Sequence, residues 1–183
     1  MTQRIGIVRN LIVVDTVKEW PFKARGVEIV DARSYLGQPA SGTSSRARLF
    51  NLCRSYRYQS VGYYVTLLAT ARGHRPLPDL TTLLDLNSQT MVRSFSDELD
   101  ILIQKTLRPI QAREFTLSVY FGHNHAKRYE RLSRELFNLF QAPLVRAAFA
   151  RPNGKWILRT IRPIPVGEIP SGDRKFVLKR ANA

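Results

Sequence analysis

The sequence predicts an α/β fold: an open, mainly parallel sheet with flanking helices in the N-terminal half, followed by a βαββ half that ends in a C-terminal hairpin. Three observations carry this expectation. Short apolar runs of strand length, LIVVD at 11–15 and VEIVD at 27–31, are separated by a loop with breakers at Pro21 and Gly26. A third run, RLFNLC at 48–53, is followed by a polar loop, an apolar helical stretch and RPLP at 75–78, the order of a βαβ unit. Farther on, LVRAAFA at 144–150 and KWILRTI at 155–161 flank RPNG, where Pro152 and Gly154 suit the second and fourth positions of a type I turn.

The remaining elements follow in order. LGQPASGTSS at 36–45 is rich in Gly, Pro and Ser and reads as an exposed connection. The helix expected from Val61 to Arg72 places Val61, Tyr64, Val65, Leu67, Leu68, Ala69 and Ala71 on more than one face, which predicts thorough burial. Gly73 suits its C-terminal cap and Pro76 forbids continuation. SFSDELDILIQKTL, 94–107, reads as one helix capped by Ser94 or Ser96, with Asp97 and Glu98 in its first turn. FTLSVYFG, 115–122, is β-rich. Residues 126–140 are strongly amphipathic, with Tyr129, Leu132, Leu136, Phe137 and Phe140 on one face and Glu130 spaced to pair with Arg134. From Pro163 onward, PIPVGEIPSGDRK has the composition of a tail or linker. The expected division is therefore a domain over 1–165 and a tail over 166–183.

Composition bounds the function. The 183 residues carry 44% hydrophobic residues, enough for a core, and no apolar run of membrane-spanning length. The single cysteine, Cys53, allows no intrachain disulfide, and the N-terminus has no signal-peptide pattern, so a cytoplasmic location is expected. The net charge is +15, with 22 arginines against seven lysines. Guanidinium grips carboxylate or phosphate through two parallel hydrogen bonds, as ammonium cannot. Between Asp31 and Asp79 lie seven arginines and no acid. That stretch attracts an anion without saying which one.

Its centre is CRSYRYQSVGYY, 53–64, with two arginines, four tyrosines and no acid. In an open α/β sheet, ligands sit at the carboxyl ends of strands beside helix N-termini, and this loop is expected there. Ser60 is the expected N-cap. The N–H groups of Val61, Gly62 and Tyr63 would face the loop, and Gly62 would let a ligand approach the backbone. Three readings stay open on the residues alone: a solvated loop packed by its tyrosines, a pocket for a small anion, or a contact for single-stranded RNA through stacked rings and arginines.

NLCRSYRYQSVGYYVTLLATARGHRPLP closely resembles the N-terminal domain that precedes the catalytic domain in RimK-like ATP-grasp ligases. LIVVDTVKEWP, VYFG at 119–122 and RELFNLFQAPLVRAAF at 134–149 fit it in the same order, so the similarity covers roughly 10–165. The resemblance implies a cytoplasmic bacterial protein and an α/β unit that helps bind the substrate or partner of a carboxylate–amine ligase. The positions it singles out are Arg54, Ser55, Tyr56, Arg57, Tyr58, Gln59, Ser60, Gly62 and Tyr63, with Asp15 after the first strand. It also implies an ATP-grasp catalytic partner, in cis or in trans. These residues show no glycine-rich lid over ATP phosphates and no Glu/Asn pair for magnesium. ATP and Mg are therefore expected only with that partner, and no catalytic or metal-binding residue is assigned here. A basic RNA- or ribosome-associated module is the alternative.

Weaker candidates remain. His123 and His125 flank Asn124, but a metal site needs a third ligand, and His74 is distant in sequence. Cys53 sits beside Arg54 and a helix start, conditions that can lower a thiol's pKa, although a cysteine closing an apolar strand is more often inert. Asp15 could orient a ligand or cap a turn, and Glu19 and Trp20 could line the same cleft.

Overall fold

The computed structural model describes residues 9–20, 26–38 and 47–181. Of the connections expected around Pro21 and over 36–45, residues 21–25 and 39–45 fall outside them, and Leu36 and Gly37 are helical rather than part of a connection. Four parallel strands, β1 (Arg9–Val14), β2 (Val27–Asp31), β3 (Ala47–Asn51) and β4 (Arg75–Leu77), form one sheet in the order β2-β1-β3-β4. The chain steps from β1 to one side and then to the other, so the topological switch point lies between β1 and β3. Asp15 follows β1 and the 53–60 loop follows β3, which places both at that crevice.

Alternation along β1 sets the layers. Leu11 and Val13 face α1 (Ala32–Gly37) and α2 (Val61–Ala71), packing with Tyr35, Leu49, Val65 and Ala69. Ile12 and Val14 face the other way, toward Leu144, Ile164, Val166, Ile169 and Val177. This second layer comes from residues whose composition suggested a tail. They hold a 3-10 turn at Val166–Glu168 and α7 (Arg174–Ala181), and Val166, Ile169 and Val177 are buried. Proline and glycine there shape a path across the sheet, and the apolar residues between them supply the packing. The Tyr120 hydroxyl donates to Asp173 at 2.7 Å, at the start of α7. Burial, and then the Asp173 carboxylate, push that phenol up to about 12.

The second half opens with three helices, α3 (Leu80–Asn87), α4 (Gln89–Glu98) and α5 (Asp100–Leu107). The single helix expected over 94–107 is thus two, broken at Leu99. Ser88, not Ser94 or Ser96, caps α4, accepting from the Met91 N–H at 3.3 Å. Ser96 is buried and accepts from the Leu158 N–H instead. Strands β5 (Glu114–Tyr120), β6 (Leu144–Ala150) and β7 (Ile157–Pro163) form an antiparallel sheet in the order β5-β6-β7, with α6 (Glu130–Leu139) between the first two. The βαββ half and its hairpin are as expected. The amphipathic face of α6 buries Leu132 and Leu136 with Phe140, and Arg134 pairs with Glu130 at 3.2 Å. The hairpin turn differs from type I: Asn153 takes φ 52°, ψ 32°, in the left-handed region that Asn tolerates.

Candidate functional site

The 53–60 loop is built from its own polar groups. Asn51, fully buried at the end of β3, accepts from the Cys53 N–H through its side-chain oxygen at 3.1 Å. Its amide donates to the Gly62 carbonyl at 2.7 Å and to the Thr66 hydroxyl at 3.0 Å. The Tyr56 ring turns inward, and its hydroxyl donates to the Asn51 carbonyl at 2.5 Å. Burial holds that phenol well above its usual range, so it stays a donor. Ser60 caps α2 as expected, accepting from the Tyr63 N–H at 3.3 Å while donating to the Ser55 carbonyl at 2.9 Å. The helix start is thereby closed onto its own loop. Gly62 is buried, and a methyl group there would overlap the Ser55 carbonyl and lie 2.9 Å from the Cys53 Cβ. The glycine makes room for the protein's own backbone.

With the backbone fixed, the side chains divide. Arg54, Arg57, Tyr58 and Gln59 are exposed, Gln59 at a left-handed φ of 63°. Tyr58 is 72% exposed and packs edge-to-face on Tyr63, which meets Tyr64 in the same way. Asp15 accepts from the Arg54 N–H at 2.6 Å, and the guanidinium Nε lies 3.9 Å from the same oxygen. That contact ties the end of β1 to the loop after β3.

Two clefts flank Arg54. One, of about 460 Å³, is lined by Asp15, Thr16, Asp31, Arg33, Arg54 and Val61 and mixes both signs of charge. The other, of about 370 Å³, brings Arg54, Ser55, Tyr56 and Arg57 against Leu86 and Asn87 of α3 and the end of β7, Ile161 to Pro163. Arg162 thus joins Arg54 and Arg57, and among the described residues no carboxylate lines this cleft. Asn87 donates to the Tyr56 carbonyl at 3.1 Å and holds α3 to the loop. Sequence reasoning missed Arg162 and Asn87. Arg162 stands more than a hundred residues from Arg54 and reaches the cleft only through the β6–β7 pairing.

The comparison with known families agrees with this architecture. Residues 32–180 match the RimK-like ATP-grasp N-terminal domain. The chain belongs to that family. The matched span takes in the loop, both ends of the three-arginine cleft and nearly all of α7. No curated protein matches the chain. As a RimK-like ATP-grasp N-terminal domain, it is associated by family with an ATP-grasp catalytic domain.

The other candidates of the RimK-like domain sort plainly. Cys53 is 1% exposed, and burial, with Asp15 and Asp31 nearby, pushes its thiol up rather than down. The protonated thiol is no nucleophile. Iodoacetamide is expected to leave Cys53 unmodified in the native protein and to alkylate it within minutes in guanidinium; mass spectrometry reads the difference. Rapid native labelling would show that the loop opens. His123 and His125 do not converge: His123 lies 2.5 Å from Glu130, and His125 lies 3.4 Å from Asp173 and stacks on Phe176. His74 is bonded to the Tyr35 hydroxyl at 2.9 Å. Among the described residues, no group of three or more His, Cys, Asp or Glu is placed to hold a metal. Trp20 is buried beneath the first sheet; the Glu19 side chain lies outside the described residues. Helix α2 is less buried than expected, since Val61, Tyr64 and Leu67 are each about two-fifths exposed. Among the described residues no helix is long and apolar enough to cross a membrane.

Proposed function

We propose that this chain is the substrate- or partner-binding domain of a cytoplasmic RimK-like ATP-grasp carboxylate–amine ligase system, and that it binds an anionic group of an amino acid, peptide or phosphate at the 54–63 loop. ATP and magnesium belong to the catalytic domain it accompanies. One observation carries the reading: Arg54, Arg57 and Arg162 converge on one cleft that, among the described residues, no acid lines. Among the described residues neither Arg57 nor Arg162 has an ion-pair partner. A hydrogen bond from a charged donor is worth about 1.5–3 kcal/mol, so two such arginines support micromolar to millimolar binding after ordering costs.

The test is a calorimetric titration with inorganic phosphate and a short acidic peptide. Arg57→Ala and Arg162→Ala are each expected to weaken binding about tenfold or more, the loss of at least 1.4 kcal/mol. Neither should lower the melting temperature by more than a degree or two, since both side chains are exposed. Unchanged affinity in both variants would remove the site. The exposed Tyr58, with Tyr63 and Tyr64 behind it, keeps a second reading in view, stacking of single-stranded RNA. That reading takes over if only a short RNA binds and its affinity falls steeply with salt.

A further inference from the structure

The charge count of the three-arginine cleft goes further than its sign. Arg54 already has a carboxylate beside it, Asp15, which takes its backbone N–H at 2.6 Å and lies 3.9 Å from its guanidinium. Arg146, directly across the ladder from Arg162, is also matched, with its Nη1 2.9 Å from Glu168. Arg162 therefore faces a like charge whose counter-ion is spoken for. Like charges directly opposite on a sheet destabilise it. Arg57 stands across the same cleft with no acid of its own. Two positive charges, Arg57 and Arg162, are left uncompensated around one volume of about 370 Å³. The rest of the lining is close to neutral and half apolar: Tyr56, Leu86, Ile161, Pro163 and Pro165, with Ser55 and Asn87.

We infer that this cleft selects a dianion that carries no ammonium group, a dicarboxylate or a phosphate monoester, over a zwitterionic amino acid. The inference rests on the anion-site reading above and deepens it. Two uncompensated guanidiniums are neutralised by two negative charges, each of which can be taken by one bidentate fork. A monoanion leaves one guanidinium unmatched. A zwitterion is worse, because its ammonium enters a cleft where, among the described residues, no carboxylate receives it and two cations repel it. The acids that could accept an ammonium, Asp15 and Asp31, line the other cleft, on the far side of Arg54. The apolar lining suits the carbon body of the ligand, which then gains from burial what inorganic phosphate cannot.

Four probes separate the possibilities on the intact chain at neutral pH and fixed ionic strength. N-acetylglutamate has two carboxylates and no ammonium, glutamate has the same carboxylates with the ammonium, and N-acetylglutamine keeps one carboxylate. Phenyl phosphate tests the phosphate source of the same charge. Calorimetry is expected to show N-acetylglutamate or phenyl phosphate binding at least tenfold more tightly than glutamate and N-acetylglutamine. In Arg162→Ala the gap between N-acetylglutamate and N-acetylglutamine should collapse to about twofold. That variant should melt no lower than the parent, because it relieves the contact with Arg146; a merely structural Arg162 would lower it. Which of the two dianions is tighter decides between carboxylate and phosphate. Glutamate binding as tightly as N-acetylglutamate overturns the dianion inference while leaving the anion site standing. Saturable binding by none of the four overturns both.

Discussion

Asn51→Ala is expected to lower stability by about 3–4 kcal/mol. The magnitude follows from what the side chain serves. The Cys53 N–H has the Asn51 side-chain oxygen as its acceptor, at 3.1 Å in a fully buried position, and an orphaned buried donor costs about 1–3 kcal/mol. The Gly62 carbonyl and the Thr66 hydroxyl each lose one partner of two, at about 0.5–1.5 kcal/mol apiece. Thr66 continues the network, donating to the Pro78 carbonyl at 3.1 Å, so one amide links the end of β3, the first turns of α2 and the segment after β4. For a domain with total stability of about 5–15 kcal/mol, that loss is a large fraction. Urea denaturation reads it as a lower midpoint at an unchanged slope. Thr66→Ala should cost about 1–2 kcal/mol, and the double variant less than the sum, because the two side chains share a hydrogen bond. An Asn51→Ala loss within 1 kcal/mol of zero would mean that the loop conformation is held elsewhere.

The network also explains how far the sequence could be read. Strand β1 was legible because a strand covered on both faces is a continuous apolar run, as LIVV is, whereas β2 at the sheet edge keeps Glu28 exposed and was read from Val27, Ile29 and Val30 around it. The start of α2 was legible because Ser60 is a local signal: the cap and the N–H it serves are three residues apart. The location of the loop followed from strand–loop–helix order alone. Other features depend on contacts between distant residues. Arg162 looks like an ordinary alternating residue of an edge strand until β7 is paired with β6 and its end meets the loop. Asn51 did leave a mark, a polar residue inside the apolar run RLFNLC, but its meaning required the partners at 62 and 66. In α4 and α5 an unbroken helical pattern concealed the turn at Leu99. At 163–181 composition pointed one way and burial the other. Prolines and glycines signal irregular backbone, whereas Val166, Ile169 and Val177 are read as core only when the open face of the first sheet is known to need covering.

Gly62→Ala sets two ordinary rules against each other, and the geometry decides the sign. Replacing glycine by alanine inside a helix normally stabilises by up to about 1 kcal/mol. At Gly62 the added methyl would overlap the Ser55 carbonyl, lie 2.9 Å from the Cys53 Cβ and 3.2 Å from the Tyr56 ring. Two of those neighbours are held firmly. The Ser55 carbonyl is engaged by the Ser60 hydroxyl at 2.9 Å, and the Tyr56 ring is buried with its hydroxyl anchored on Asn51. Overpacking of this kind costs about 1–3 kcal/mol or more, so the net expectation is a loss of about 2 kcal/mol. Gly37→Ala, the same change in α1 with nothing within 4 Å among the described residues, should be neutral or mildly stabilising and serves as the control. The functional consequence follows from the same displacement. Moving the Ser55 carbonyl moves Arg54 and Arg57 on either side of it, so Gly62→Ala should also weaken phosphate or acidic-peptide binding several-fold without touching the ligand. If Gly62→Ala is as stable as Gly37→Ala and binds as the parent does, the loop yields easily. The arginines would then be set by the ligand rather than held ready for it.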